Sequence, residues 1–210
     1  PIGSVTNGVH GQTWEAREVT ALIGPPAPHP AAHHDEGPPD TVLWDLRTIL
    51  RTRLVGEVRR RVREAWLQRG ASVPELSWTE HIFDPDVLTV GFARRVPTYK
   101  RLTLMLREPD RLRDMLLDPH RPVQLVVAGK AHPADDGGKA LIQQIVRFAD
   151  DPAVRHRIVF LPDYDMSMAR YLYWGCDVWL NNPLRPLEAC GTSGMKSALN
   201  GGLNLSIRDG

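Results

Sequence analysis

The second half of the chain alternates short apolar runs with amphipathic segments. Runs typical of buried strands cover residues 87–95, 122–131, 157–164, 176–183 and 203–209. Helical periodicity occupies the intervening segments 100–118, with a break at Pro109, 137–151, 167–175 and 193–202. Because strands that alternate with helices form βαβ units, this pattern predicts an α/β fold with a Rossmann-like parallel sheet and helices on both faces.

The first 80 residues have a different organisation, so we divide the chain into segments 1–80 and 81–210. Residues 25–40 are rich in proline, which indicates an exposed loop. A long amphipathic helix is predicted over residues 41–69, with Asp40 as its N-cap and Gly70 as its stop. Its apolar face would consist of the residues that recur at helical spacing: Leu43, Leu46, Leu50, Leu54, Val58, Val62 and Trp66.

Arginines occupy much of the rest of this helix. They are Arg47, Arg51, Arg59, Arg60, Arg61 and Arg63. Such a stripe could bind nucleic acid, but the formal net charge of +1 and the lack of interleaved aromatic residues favour a solvated face. Four tryptophans that could stack on sugars, Trp44, Trp66, Trp174 and Trp179, are predicted to belong to the core instead.

Composition narrows the class of protein. With 42% hydrophobic and 24% charged residues the chain is predicted to be globular, and no apolar run reaches the length of a membrane helix. Two cysteines do not form a disulfide framework, which favours the cytoplasm. His33 and His34 lie in the proline-rich loop without further ligands at fixed spacing, so no metal site is expected. Since the chain opens on Pro1 and stops just after a predicted strand, we expect it to be part of a longer protein.

Polar residues follow each predicted strand. Because the carboxyl ends of parallel strands lie at one edge of a sheet, these residues should share a rim where ligands bind. They are Arg94 and Arg95, then Gly129 and Lys130, then Asp163 and Tyr164, and finally Asn181 and Asn182. The cations and the glycine point to a ligand that carries phosphate. No G-x-G-x-x-G follows the first strand, which disfavours a dinucleotide.

The segment "LEACGTSGMKSALNGG", residues 187–202, places Lys196 directly after small residues. Backbone N–H groups of such a turn can hold an anion, and the helix that follows adds its dipole. The lysine could pair with a bound phosphate or attack a carbonyl, as it would with pyridoxal 5′-phosphate. A purely structural glycine turn is the third alternative.

"EACGTSGMKSALNG" is similar to the cofactor-lysine segment of the α-glucan phosphorylases, the family of the glycogen, starch and maltodextrin enzymes. "SVTNGVHGQTW", "GFARRVPTYKR" and "VAGKAHPAD" resemble three further segments of that family, in the same order. "NNPLRPLEACGTSGMK" resembles the bacterial branch. The resemblance implies a fold of two Rossmann-like lobes, of which this chain would be an incomplete carboxyl-terminal lobe with residues 1–80 connecting the lobes.

The resemblance also implies roles for individual residues. Lys196 would form the Schiff base with pyridoxal 5′-phosphate. The cofactor would further be held by Thr192, Ser193 and Gly194 at its phosphate, and by Arg94, Trp14, Tyr164 and Asn181. Arg95 and Lys100 would bind the substrate phosphate and act in catalysis with Lys196. The glucosyl unit would contact Asn7, Tyr99, Glu188, Ala189, Cys190 and Gly191.

The implied reaction is reversible phosphorolysis of α-1,4-glucan ends to α-glucose 1-phosphate, with the phosphate group of the cofactor as the working group. The chain departs from common family residues at Cys190, Pro97 and Asp165, the last of which removes a cation. Two alternatives remain: a nucleotide-sugar glycosyltransferase of the same architecture and a non-catalytic remnant that binds glucan. We expect the 210 residues alone to bind cofactor weakly and to be inactive, without nucleic-acid or membrane partners. The full-length protein could form a homodimer, but the sequence does not determine its oligomeric state.

Overall fold

The computed structural model describes residues 6–24, 37–95, 100–188 and 190–209. The predicted site residues Tyr99 and Ala189, the departure at Pro97, and the histidines of the proline-rich loop lie outside these ranges. Within them, no group of three or more His, Cys, Asp or Glu side chains could hold a metal ion. None of the helices in these ranges is both long enough and apolar enough to cross a membrane.

The core of the fold is a five-stranded, fully parallel sheet, which confirms the predicted fold class. Its strands are β1 (Leu88–Arg95), β2 (Val123–Lys130), β3 (Ile158–Leu161), β4 (Val178–Asn181) and β5 (Leu203–Ser206). They lie in the order β3-β2-β1-β4-β5. Successive strands move outward on one side of β1 and then return to its other side, so the strand order reverses at β1 and β4. Ligands of open α/β sheets bind at such a point.

Helices join the strands and precede them. They are α1 (Gly11–Trp14), α2 (Arg17–Ile23), α3 (Asp40–Gln68), α4 (Pro109–Leu117), α5 (Asp136–Ala149), α6 (Met166–Gly175) and α7 (Thr192–Ala198). The break predicted at Pro109 is confirmed, because this proline opens α4 at a position whose N–H needs no partner. The segment before it is a 3₁₀ helix, Leu102–Arg107, and a second 3₁₀ helix, Pro74–His81, was not predicted.

Both faces of the sheet carry apolar clusters. On one face α3 and α6 pack over Val126 and Trp179. On the other, the side chains of α4 and α5 meet Phe92 and Val127. The edge strand β5 is exposed along its length, including Leu205. Helices therefore cover both faces of the inner strands, as predicted.

The long helix α3 agrees with its prediction except at its first turn. Pro39 occupies the N-cap position and Asp40 is already helical without a side-chain cap, so the predicted N-cap was wrong by one residue. Gly70 has φ +92°, a left-handed conformation that glycine adopts without strain, which confirms the predicted stop. Leu50, Leu54, Val58 and Val62 are buried and Trp66 is partly buried, whereas the first turn extends past the core and leaves Leu43 exposed.

The prediction of a solvated arginine face was wrong for three of the six arginines. Arg47 donates to the carbonyl oxygens of Trp174, Cys176 and Asn200 at 2.7 Å each. Arg51 is buried, and its side chain pairs with Asp177 at 2.8 Å. Arg59 likewise donates to the carbonyl oxygens of Ile82 and Phe83. A guanidinium with five donors can satisfy carbonyl groups at chain ends, so these arginines join elements together.

The tryptophans follow their prediction with one exception. Trp179 is fully buried between the sheet and α6, and Trp66 and Trp174 pack against buried clusters. Trp44 was predicted to be core and is 66% exposed. It lies in the same part of α3 as Leu43, before the buried residues of the helix begin, and the centre of its ring lies 5.6 Å from the guanidinium carbon of Arg51.

Candidate active site

A cavity of about 690 Å³ opens at the carboxyl ends of the strands. Residues at or just after the ends of β1, β2 and β3 and residues of α7 line it. Of the predicted rim, Gly129, Asp163, Asn181 and Asn182 are not among the lining residues. The lining includes Arg94, Arg95, Lys100, Lys130, His132, Asp135, Tyr164, Tyr173, Glu188, Cys190, Thr192, Ser193 and Lys196. We refer to it below as the strand-end cavity.

Glu188 joins two cations on one wall of the strand-end cavity. Its Oε2 atom lies 3.3 Å from Nη1 of Arg94 and also accepts a hydrogen bond from Nζ of Lys100. All three side chains are mostly buried. The described lining of the cavity carries more basic side chains (Arg94, Arg95, Lys100, Lys130 and Lys196) than acidic ones (Asp135 and Glu188), which favours an anion.

Two further cations lie where solvent reaches them. Arg95 ends β1 with an exposed side chain, and the side chain of Lys130 is 61% exposed. Since charges in contact with water interact weakly, the anion attraction of the cavity comes mainly from Arg94 and Lys100.

Lys196 projects from α7 over an aromatic surface. Its Nζ atom lies 3.9 Å from the centre of the Trp14 ring and 5.7 Å from that of Tyr173. Burial lowers the pKa of the Lys196 amine. A lower pKa increases the neutral fraction near neutral pH, which is the form that attacks a carbonyl.

The small residues before Lys196 have different roles. Thr192 and Ser193 open α7 and line the cavity. Gly194 is not among the lining residues. A Cβ atom on it would lie 2.5 Å from Oδ1 of Asn204, so the exposed Asn204 side chain on β5 would have to move to admit a larger residue.

Two tyrosines stand beside the amine. The hydroxyl groups of Tyr164 and Tyr173 share a hydrogen bond of 2.9 Å, and burial raises the pKa of both phenols. They therefore stay protonated and can donate. Asp165, which follows Tyr164, caps α6 by accepting a hydrogen bond from the N–H of Met168 at 2.7 Å. This cap gives a structural reason for a carboxylate at position 165.

The structure places some predicted residues outside the lining. Asn181 is buried and donates to Ser206 Oγ at 2.9 Å within the sheet. Asn7 does not line the cavity, but its carbonyl oxygen accepts a hydrogen bond from the thiol of Cys190, a lining residue, at 3.7 Å. Gly191 precedes α7 without lining the cavity.

Besides the apolar lining residues, three polar ones were not predicted as site residues: His132, Asp135 and Tyr173. The signal for the first two was present, since both belong to the motif "VAGKAHPAD" that follows β2. Tyr173 has no such signal. It sits in the helical pattern of α6, and only the packing of α6 turns it toward Lys196.

The fold and the cavity define an α/β protein with a cavity rich in basic side chains and a partly buried lysine at the strand ends of a parallel sheet. Residues 60–210 match the family model described as carbohydrate phosphorylase. The chain belongs to this family, as its four motifs predicted.

Relatives agree with this assignment. The chain is 68% identical to a glycogen phosphorylase of Mycobacterium tuberculosis and 46% identical to one of Aquifex aeolicus. It is 38% identical to a maltodextrin phosphorylase of Thermococcus litoralis. Each comparison covers the whole of this chain but 25%, 32% and 26% of the relative. The chain thus spans about a quarter to a third of the length of the curated relatives it matches.

Proposed function

We propose that this chain forms the cofactor and phosphate wall of an α-glucan phosphorylase. The whole protein would cleave the ends of α-1,4-glucans with inorganic phosphate and release α-glucose 1-phosphate. One observation carries the proposal: a partly buried amine, Lys196, and a buried cation pair, Arg94 and Lys100, line the same cavity. Family membership and the names of the relatives support the same reaction.

The residues of the strand-end cavity fit pyridoxal 5′-phosphate. Lys196 has the depressed pKa that attack on an aldehyde needs, and Trp14 supplies a flat surface beside its amine. Thr192 and Ser193 offer hydroxyl and N–H donors for a phosphate at the start of α7. When bound, the cofactor would supply a phosphate group that can serve as a general acid or base toward the substrate phosphate.

The side chains of this chain would then orient the substrate and balance its charge. Phosphates held close together repel strongly, and Arg94 and Lys100 offset that repulsion from the buried wall. Arg95 would add a contact to the substrate phosphate from the exposed side. Glu188 keeps both buried cations in place and would face the glucosyl unit. We infer a cytoplasmic protein, since Cys176 and Cys190 are both free.

Covalent capture tests the cofactor. The 210-residue chain is mixed with pyridoxal 5′-phosphate, reduced with borohydride, digested and analysed by mass spectrometry. We expect the adduct on the peptide that contains Lys196, because burial keeps more of this amine neutral. Lys196→Ala should abolish that adduct. Lys139→Ala is the matched control, since Lys139 lies on α5 outside the cavity lining and pairs with Asp136.

Capture spread evenly over the lysines, or none on Lys196, would count against the proposal. Binding of a nucleotide sugar in place of capture would favour the glycosyltransferase alternative.

Turnover by the chain alone is a separate test. We expect the 210 residues to release no glucose 1-phosphate from maltodextrin and phosphate, because a chain that spans a quarter to a third of its relatives would leave the bound substrate open to water. Coupled assay of glucose 1-phosphate checks this. Release at a steady rate that depends on Lys196 would show that this wall suffices.

A further inference from the structure

Asn200, just after α7, links Lys196 to the segment that carries Trp14. Its side chain is 1% exposed. The amide oxygen accepts from the N–H of Ala16 at 2.7 Å. The amide nitrogen donates to the carbonyl oxygens of Trp14 at 2.9 Å and of Lys196 at 2.8 Å. One side chain thus bonds to the backbone on both sides of the contact between the Lys196 amine and the Trp14 ring.

Two further residues, Trp174 and Arg47, hold this link in place with hydrogen bonds to backbone carbonyl groups. The indole N–H of Trp174 donates to the same Trp14 carbonyl oxygen at 2.9 Å. Arg47 on α3 donates to the carbonyl oxygens of both Trp174 and Asn200. The Trp14 carbonyl oxygen thus accepts from two side chains, Asn200 on the α7 side and Trp174 on α6, and Arg47 joins both of these residues to α3. Elements α3, α6 and α7 therefore fix the position of Trp14 together.

We propose that Asn200 is a positioning residue, which holds the amine of Lys196 against the ring of Trp14. The proposal rests on the function of Lys196 put forward above. Residues 14 and 196 lie at opposite ends of the chain, and α1, which carries Trp14, has only four residues. Such a short helix has little stability of its own, so its place beside the amine depends on bonds such as those of Asn200.

The test follows the amine directly, without cofactor. The chain is labelled with trace acetic anhydride from about pH 6 to about pH 11, a span that includes the usual pKa of lysine. Mass spectrometry then gives the extent of acetylation at Lys196, with the Lys139 peptide as the reference for reagent delivered. In Asn200→Ala we expect the midpoint for Lys196 to rise by about one pH unit, because loosening α1 returns water to the amine.

A matched control separates positioning from general stability. Gln124 is a fully buried amide in β2, and it bonds to the backbone of Asp84 and to Thr89 Oγ1. Gln124→Ala should destabilise the chain and leave the Lys196 midpoint unchanged. Trp174→Phe, which removes a single donor to Trp14, should raise the midpoint by a smaller amount. Arg94, Lys100 and Glu188 are unchanged in every variant.

Equal midpoints in the wild type and in both Asn200→Ala and Trp174→Phe would overturn the proposal. So would an equal shift in Gln124→Ala, because the effect would then follow from stability alone. The outcome is distinct from that of cofactor capture: a shifted midpoint together with failed capture would leave Asn200 as a positioning residue and refute the cofactor.

Discussion

Asp177 shows how much one side chain can hold together. Its Oδ1 atom accepts from Arg47 at 3.2 Å and from Arg51 at 2.8 Å, and its Oδ2 atom accepts from the N–H of Thr89 at 2.9 Å. The carboxylate therefore joins α3 to the starts of β1 and β4. The Arg51 side chain is only 3% exposed, so its charge depends on this partner.

Removing that partner should be costly. We expect Asp177→Ala to lower the free energy of unfolding by about 3 kcal/mol, because it leaves a buried guanidinium uncompensated. Urea unfolding followed by circular dichroism measures the loss. As control, Glu64→Ala removes an exposed ion pair with Arg60 and should change stability by about 0.5 kcal/mol or less. Similar losses in both variants would contradict the structural role of Asp177.

At the scale of elements, the contact between α3 and α6 depends on a glycine. A Cβ atom on Gly175 would overlap Cβ of Leu54 and lie 2.8 Å from the carbonyl oxygen of Leu50. The two helices can approach this closely because α6 ends in a residue without a side chain. Gly56, in the middle of α3, has nothing within 4 Å of the same position.

These glycines make a matched pair. Gly175→Ala should destabilise the chain by roughly 1–3 kcal/mol, since the overlap forces α3 and α6 apart. Gly56→Ala should stabilise it by roughly 0.5–1 kcal/mol, because alanine favours an exposed helix interior over glycine. Thermal or urea unfolding of both variants measures the difference. Equal effects of the same sign in both variants would show that the packing of α3 against α6 does not determine the effect of Gly175→Ala.

At the scale of the whole molecule, the two cysteines differ in how far solvent can reach their thiols. Cys176 is fully buried in the core between the sheet and α6, and burial raises the pKa of its thiol. Cys190 is partly exposed at the strand-end cavity. One thiol should therefore belong to the surface and the other to the folded core.

A thiol reagent such as dithionitrobenzoate can separate them. We expect one fast reaction, at Cys190, and a second one that proceeds at the rate of global unfolding and becomes fast in urea. Cys190→Ser should remove the fast phase alone. Rapid reaction of both thiols in the native chain would mean that the core around Cys176 opens locally.

Much of the fold could be predicted because its signals are local. Each strand is an apolar run, and Pro109 and Gly70 mark boundaries through their own backbone preferences. The site was predicted in outline for a related reason, since residues after parallel strands must share one edge. Asn181 shows the limit of that rule: it lies at a strand end, yet it bonds to Ser206 within the sheet.

The sequence by itself determined the kind and order of the elements and the family to which they belong, because periodicity and motif spacing act between near neighbours. Only the tertiary structure decided which polar groups meet. Arg47 and Arg51 fit a solvated pattern in the sequence, and Asn200 carried no signal there. Their hydrogen bonds join residues more than a hundred positions apart, and such bonds depend on how α3, α6 and α7 stack on the sheet, which no local pattern encodes.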